Sequence, residues 1–190
     1  SGVYIDTADT TTILNNNDGD NLGDIQVNAE AYSQLNAGVE ANGIYVSYFA
    51  DSALINKGNI EVTATADSNN GSEAEARGIS VYIEENDDAE IIPSIRNDGN
   101  ILVNAKATVS DVEGEASAEA YGIIAYIDTE ENLTIVNSEN SVITALVNDK
   151  LDKDGYSLSI REGGDGVITV TNSGTLRGNL EVEGTLTNSG

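Results

Sequence analysis

Apolar and polar residues alternate along much of the chain. The alternation is strict in residues 25–31, 60–66 and 101–107, where Ile, Val and Ala occupy every second position. A period of two in segments rich in Ile, Val and Thr is typical of half-buried β-strands. It continues through the Glu/Ala-rich stretches 73–76 and 115–120, whose composition alone would favour a helix. The pattern therefore predicts a chain built from strands.

Two landmarks recur with nearly the same period. A glycine followed by alternating apolar residues occurs at Gly2, Gly43, Gly78 and Gly122, and an apolar stretch leads into Asn15, Asn56, Asn97 and Asn137. The asparagines are separated by 41, 41 and 40 residues. Three strands per repeat, each stacked on its copy in the next repeat, would form three parallel sheets. The sequence predicts an all-β parallel solenoid with three strands per coil. Two short coils per repeat are the alternative.

Side-chain parity identifies candidate corners. Ala74 and Ala76 point to the opposite side from Ile79 and Val81 unless Gly78 forms a kink or bulge. The same switch occurs at Gly43 and Gly122, so all three glycines are predicted corners that let both flanking segments face one core. The four recurring asparagines are predicted to form a ladder in which each amide satisfies a turn and bonds to its copy in the next coil.

The coils differ in length along the chain. Residues 1–160 are predicted to contain long coils with loops that project from corners, for example at 67–72, 84–88 and 148–155. Residues 161–190 are predicted to contain lean coils, because Thr-x-Thr-Asn-Ser-Gly at 169–174 recurs at 185–190. We expect one structural domain of 190 residues whose solenoid continues beyond Gly190.

Charge and composition exclude several functions. The chain has 33 acidic and 8 basic side chains, a net charge of −25, which repels nucleic acids and anionic membranes. It has no run of about 18 apolar residues, so we expect no membrane insertion of this segment. The absence of His and Cys removes disulfides, thiolate metal sites and the usual Ser/His or Cys/His nucleophiles. We expect a non-enzymatic protein. A carboxylate-dependent polysaccharide lyase or hydrolase is the enzymatic alternative.

One acidic segment resembles a cation-binding loop. Asp18, Asp20 and Asp24 place oxygen ligands at alternating positions, with glycines between them. The segment departs from the EF-hand pattern, which requires Asp or Asn where Leu22 stands. Residues 163–166 match the glycine-rich calcium repeat only once, although that motif works by repetition. We expect no cofactor, with Ca²⁺ at 18–24 as the alternative to a plain acidic turn.

Parity also predicts a row of large side chains on the outside. If the residues around them face the core, these side chains face out on one sheet: Tyr4, Tyr45, Tyr82, Ile124 and Tyr126. One interpretation is cross-strand packing or cover by a loop. The other is a contact surface for a glycan or a second solenoid, because aromatic side chains are enriched at interfaces.

The turns carry a family resemblance. Asn-x-Gly occurs at 56–58, 97–99, 172–174 and 188–190, and Gly-Thr-Leu occurs at 174–176 and 184–186. These motifs resemble the passenger regions of autotransporters, the type V secreted proteins of Gram-negative bacteria, and filamentous haemagglutinin-like adhesins share such turns.

The resemblance implies a right-handed β-helix, export across the outer membrane by a C-terminal barrel, and a place outside the cell or on its surface. It implies adhesion or cell aggregation as the function. The expected partners are a protein or glycan on a host or sibling cell, or a second copy of the chain. A structural stalk that presents another domain is the alternative.

Overall fold

The chain forms three parallel β-sheets. The computed structural model describes residues 2–5, 12–15, 23–47, 49, 52–83, 92–127, 131–163 and 166–189. Sheet 1 contains β1 (Val3–Ile5), β4 (Asn36–Val46), β7 (Gly71–Ile83), β10 (Glu115–Ile127), β13 (Gly155–Glu162) and β16 (Asn179–Val182). Sheet 2 contains β2 (Thr12–Asn15), β5 (Ala53–Asn56), β8 (Ser94–Asn97), β11 (Leu133–Asn137), β14 (Ile168–Asn172) and β17 (Thr185–Asn188). Sheet 3 contains β3 (Ile25–Ser33), β6 (Asn59–Ser68), β9 (Asn100–Val109), β12 (Val142–Val147) and β15 (Thr175–Arg177).

Each long repeat makes one coil. The chain visits sheets 1, 2 and 3 in turn, and each strand pairs in parallel with its copy in the next coil. The predicted parallel β-helix with three strands per coil is confirmed, and the alternative of two short coils per repeat is wrong. The Glu/Ala-rich stretches lie in β7 and β10. The sheets run without interruption across residue 160, and the coil from Asn172 to Asn188 is the short one.

The core is a set of stacked aliphatic columns. Ile60 pairs with Ile101 and Val62 with Val103, and all four side chains are buried. Identical side chains therefore lie one above another, as the repeated sequence requires. Each such residue contributes roughly 1.5–3 kcal/mol by leaving water.

The connections between sheets are shorter than predicted at one corner. Residues 67–72 were predicted to form a projecting loop, but β6 extends to Ser68 and β7 begins at Gly71. The hydroxyl of Ser68 donates to the Gly71 carbonyl at 2.7 Å and accepts from the Gly71 amide at 3.1 Å. The polar residues thus close a tight turn instead of forming a loop. Residues 148–154 do connect β12 to β13 outside the strands, and 84–88 lie outside the described residues.

A continuous ladder of asparagine amides runs up sheet 2. Nδ2 of each asparagine donates to Oδ1 of the next at 2.7–2.8 Å, from Asn15 through Asn56, Asn97, Asn137, Asn172 and Asn188. Asn56, Asn97 and Asn137 have no exposed surface. The ladder contains the four predicted asparagines and continues for two more coils.

Replacing one central amide should destabilise the whole stack. In Asn97→Ala, the buried amide of Asn56 loses its acceptor and Oδ1 of Asn137 loses a donor, so we expect the free energy of unfolding to fall by about 2–4 kcal/mol. Asn59→Ala is the matched control, because Asn59 bonds to Asn100 and Asp24 in an exposed row. Denaturant unfolding followed by circular dichroism measures both. Equal losses would show that burial of the ladder does not matter.

The corner glycines leave no room for a side chain. A Cβ atom on Gly43 would lie 2.6 Å from the Gly78 carbonyl oxygen, and one on Gly78 would lie 2.5 Å from that of Gly122. A Cβ on Gly122 would lie 2.6 Å from the carbonyl oxygen of Ser157. Ser157 itself carries a side chain because the register shifts there and β16 has no residue opposite it. Glycine is therefore needed wherever a further copy of the corner stacks against it.

A methyl group at a corner should be costly. Gly78→Ala would drive Cβ into the Gly122 carbonyl oxygen and the Ile101 side chain, and we expect a loss of roughly 2–4 kcal/mol in the free energy of unfolding. Gly38→Ala is the control, since a Cβ at Gly38 in β4 would meet nothing within 4 Å. It should leave stability unchanged or raise it by about 0.5–1 kcal/mol. Thermal unfolding compares the two, and a stable Gly78→Ala protein would contradict the steric role.

Candidate binding surface

The outer side of sheet 1 presents three rows of side chains. The corner glycines reset the parity, so outward positions lie on both sides of each corner. The row before the corner contains Asn42, Arg77, Tyr121 and Tyr156. The row after it contains Tyr4, Tyr45, Ser80, Ile124 and Ser159. The third row contains Tyr82, Tyr126 and Arg161. We call these three rows the tyrosine face.

An exposed aromatic pair lies at one end of the tyrosine face. Tyr4 and Tyr45 are directly opposite each other on β1 and β4, and their rings stack with centroids 5.4 Å apart and planes 26° apart. Tyr4 is 60% exposed. The pair offers a rigid apolar surface with two hydroxyl groups, the combination that recurs in protein contact surfaces.

A second aromatic pair is packed into the middle of the face. The Tyr121 and Tyr156 rings stack with centroids 5.5 Å apart and planes 12° apart. Tyr121 is buried, and its hydroxyl donates to Glu119 at 2.6 Å. Burial, together with the hydrogen bond to Glu119 and its charge, raises the pKa of Tyr121. This phenol is therefore structural, held neutral beside a carboxylate.

The basic side chains of the face are paired with carboxylates. Arg77 donates to Glu75 at 2.7 Å and to Glu40 at 2.9 Å, and Arg161 lies 3.1 Å from Glu181. Burial acts to lower the pKa of Arg77, but the hydrogen bond to Glu75 and the charges of Glu75 and Glu40 outweigh it and the pKa is raised. The hydroxyl of Ser159 also donates to Glu181, at 2.9 Å. The arginines thus bind coils together.

The structure differs from the prediction at Ile124. Parity places this side chain on the outer side of β10, but it is fully buried. Its register neighbours, Ser80 and Ser159, are also buried. Ile124 is therefore unavailable to a partner. Tyr45, Tyr82 and Tyr126 are half-buried.

Several residues of the face were not predicted from the sequence. The missed residues are the ones directly before a corner position: Arg77, Tyr121 and Tyr156. At that point the side chains still alternate as in the first half of the strand, so these three point outward. The available signal was the residue before each corner glycine. A large or charged side chain at that position must point outward, because the preceding alanine points into the core.

The predicted calcium loop is only partly described. Asp18 and Asp20 lie outside the described residues. Asp24 is exposed, and its carboxylate accepts a hydrogen bond of 2.9 Å from Asn59. Within the described ranges, no group of three or more acidic side chains is placed to hold a metal ion. Gly164 and Asp165 of the second candidate also lie outside the described residues.

Comparison with protein-family models, with curated proteins and with solved structures gives no match. No helix long and apolar enough to cross a membrane occurs in the part of the chain that the structure describes.

The buried phenol predicts a dependence of stability on alkaline pH. The folded-state pKa of Tyr121 lies above its ordinary value of 10.0. Just above that pH the unfolded chain loses this proton while the folded chain keeps it, so the free energy of unfolding should fall as pH rises. Tyr121→Phe should remove this dependence of stability on pH. It should also remove the tyrosine that ionises at the highest pH in the folded protein. Tyrosinate absorbance, with the denatured protein as reference for all 8 tyrosines, measures the change. A late step that persists in the variant would contradict the assignment.

Proposed function

We propose that the chain is a non-enzymatic adhesive segment of a secreted bacterial surface protein, of the kind that autotransporter passengers represent. It binds a protein or glycan on host or sibling cells through the tyrosine face. The observation that carries the proposal is the stacked Tyr4–Tyr45 pair on the outer side of a regular sheet. The motifs that resemble autotransporter passengers supply the cellular context.

The chemistry of the pair suits a neutral, hydroxyl-rich or peptide partner. Stacked rings lose little conformational entropy on binding, and their hydroxyl groups can exchange hydrogen bonds with a polar partner. Earlier on the same strand as Tyr45, Glu40 remains half exposed while its carboxylate accepts from Arg77 and Asn42, so it can accept a further hydrogen bond. The net charge of −25 disfavours strongly anionic partners.

A pair of variants tests this surface. Tyr4→Ala combined with Tyr45→Ala removes the aromatic pair, and we expect binding of the purified chain to cells to weaken by on the order of tenfold. Tyr32→Ala is the matched control, because Tyr32 is 68% exposed on sheet 3 and its hydroxyl bonds only to Glu30 in its own strand. Flow cytometry with the labelled protein measures binding.

The outcomes separate adhesion from a passive role. Loss of binding in the double variant alone supports the proposal. Unchanged binding, or equal losses in the double variant and the control, contradicts it. If the chain does not bind cells in any form, the stalk alternative gains support. In that role, the uninterrupted amide ladder would stiffen a rod that lengthens by about 4.8 Å per coil.

A further inference from the structure

Sheet 2 differs from the other two sheets in that its strands contain no acidic residue. Strands β2, β5, β8, β11, β14 and β17 contain no Asp or Glu, and their one charged side chain is Arg96. Arg96 is itself paired with Asp98 at 2.7 Å. Apart from Arg96 and the Asp98 carboxylate that it binds, the outward side chains of these strands carry no charge, and we call them the uncharged face.

The uncharged face exposes aliphatic side chains. Leu14 in β2 is 50% exposed. Ile92 is 54% exposed and Val167 is 61% exposed. Each lies two residues before an outward position of the sheet. Ile55 and Val136 lie half-buried in the same row as Leu14. Three of the most exposed large aliphatic residues therefore lie on or beside one sheet.

The rest of the surface repels another copy of the chain. The net charge is −25, and the strands of sheets 1 and 3 carry outward carboxylates such as Glu75 and Glu61. Like charges that are brought into contact cost several kcal/mol, whereas charges beyond about 8 Å are screened at physiological salt. Among the described strands, those of sheet 2 therefore offer two copies the surface with the least charge repulsion.

We infer that two copies of this chain pack their uncharged faces against each other. The side chains are self-complementary for a twofold axis parallel to the solenoid. Such an axis keeps coils level and sets the row of small side chains, which includes Ala53, Ser94 and Thr134, against the row of larger ones. The larger row contains Leu14, Ile55, Arg96 and Val136, so Arg96 of one copy faces Ser94 of the other. Small side chains then face large ones, as in sheets that pack about 10 Å apart.

The size of the face sets the strength of the contact. Six strands spaced about 4.8 Å apart, with four or five residues of about 3.3 Å each, cover roughly 400 Å² per copy. A stable dimer usually buries about 800 Å² per partner. Isolated chains therefore form a weak dimer, and many copies on apposed surfaces gain strength from multivalency. This inference concerns a different face from the proposed adhesive one, and it holds or fails independently of it.

Acidic substitutions on the uncharged face test the dimer. Leu14→Glu combined with Thr171→Glu adds two carboxylates to the contact, and we expect dimerisation to weaken by on the order of tenfold or more. Leu102→Glu combined with Thr65→Glu is the control, because it adds the same charge at outward positions of sheet 3. Sedimentation equilibrium of the full chain measures the dissociation constant, and circular dichroism verifies folding.

Salt provides a second measurement. Raising the salt concentration from about 0.05 to about 0.5 M screens the net repulsion, so dimerisation of the unmodified chain should strengthen. A contact made by ion pairs would weaken instead. An unmodified chain that stays monomeric at millimolar concentration and high salt overturns the inference. So does a dimer that resists the uncharged-face variant, since the copies would then meet elsewhere, for example at strand edges.

Cross-linking tests the arrangement itself. The chain has no cysteine, so Thr134→Cys and Val136→Cys each introduce a single thiol. The twofold arrangement places residue 134 of one copy opposite residue 136 of the other. Facing sheets about 10 Å apart hold the two Cα atoms beyond the reach of a direct disulfide, so the thiols are joined with a bismaleimide whose spacer spans about 8 Å. A mixture of the two variants should yield mainly the mixed dimer, with less cross-linking in either variant alone. Equal cross-linking in all three samples would rule out this register.

Discussion

Each buried amide in the asparagine ladder needs a donor from one coil and an acceptor from the next. This requirement makes the ladder a constraint on the whole fold, because an amide without its partner would lie unsatisfied in an apolar interior. It fixes how each coil aligns with the next at one position in sheet 2, and the strands of that sheet take the same register. The aliphatic columns supply most of the free energy of burial, but because they have a period of two, a slip of two residues along a strand would still bury apolar side chains. The amides do not tolerate it, so they select one register.

The corner glycines solve a second geometric problem. A strand with an unbroken alternation would bury one half of β7 or β10 and expose the other half. The extra residue at Gly78 and Gly122 resets the alternation, so that alanines before the corner and isoleucines after it all enter the core. The residue directly before each corner still follows the alternation of the first half of the strand and points outward. Arg77 and Tyr121 occupy this position, and their contacts with Glu40, Glu75 and Glu119 connect neighbouring coils or hold the rings in place.

The sequence predicted the periodic part of the molecule well. Periods of two and of about 40 residues are direct consequences of strand geometry and coil stacking, so the strands, the coils and the ladder positions followed from them. Parity gives the direction of a side chain but not its depth, which is why Ile124 was expected on the surface. The depth of a side chain depends on what packs against it from outside its own strand, and a single-strand pattern does not contain that information. Residues 67–72 were expected to form a loop because they are polar. Strands β6 and β7 instead extend into this segment, and a tight turn at Asn69 and Asn70 joins them.

The spacing of the ladder varies widely while its hydrogen bonds do not. Successive asparagines are 41, 41, 40, 35 and 16 residues apart, yet every step keeps the same amide bond of 2.7–2.8 Å. The chain between two ladder positions therefore varies by 25 residues, from 41 in the first step to 16 in the last, while the amide bond between coils is kept. Insertions and deletions in such a gene would remodel the periphery while the frame of the solenoid stays in phase, so new surface loops could arise without a new fold.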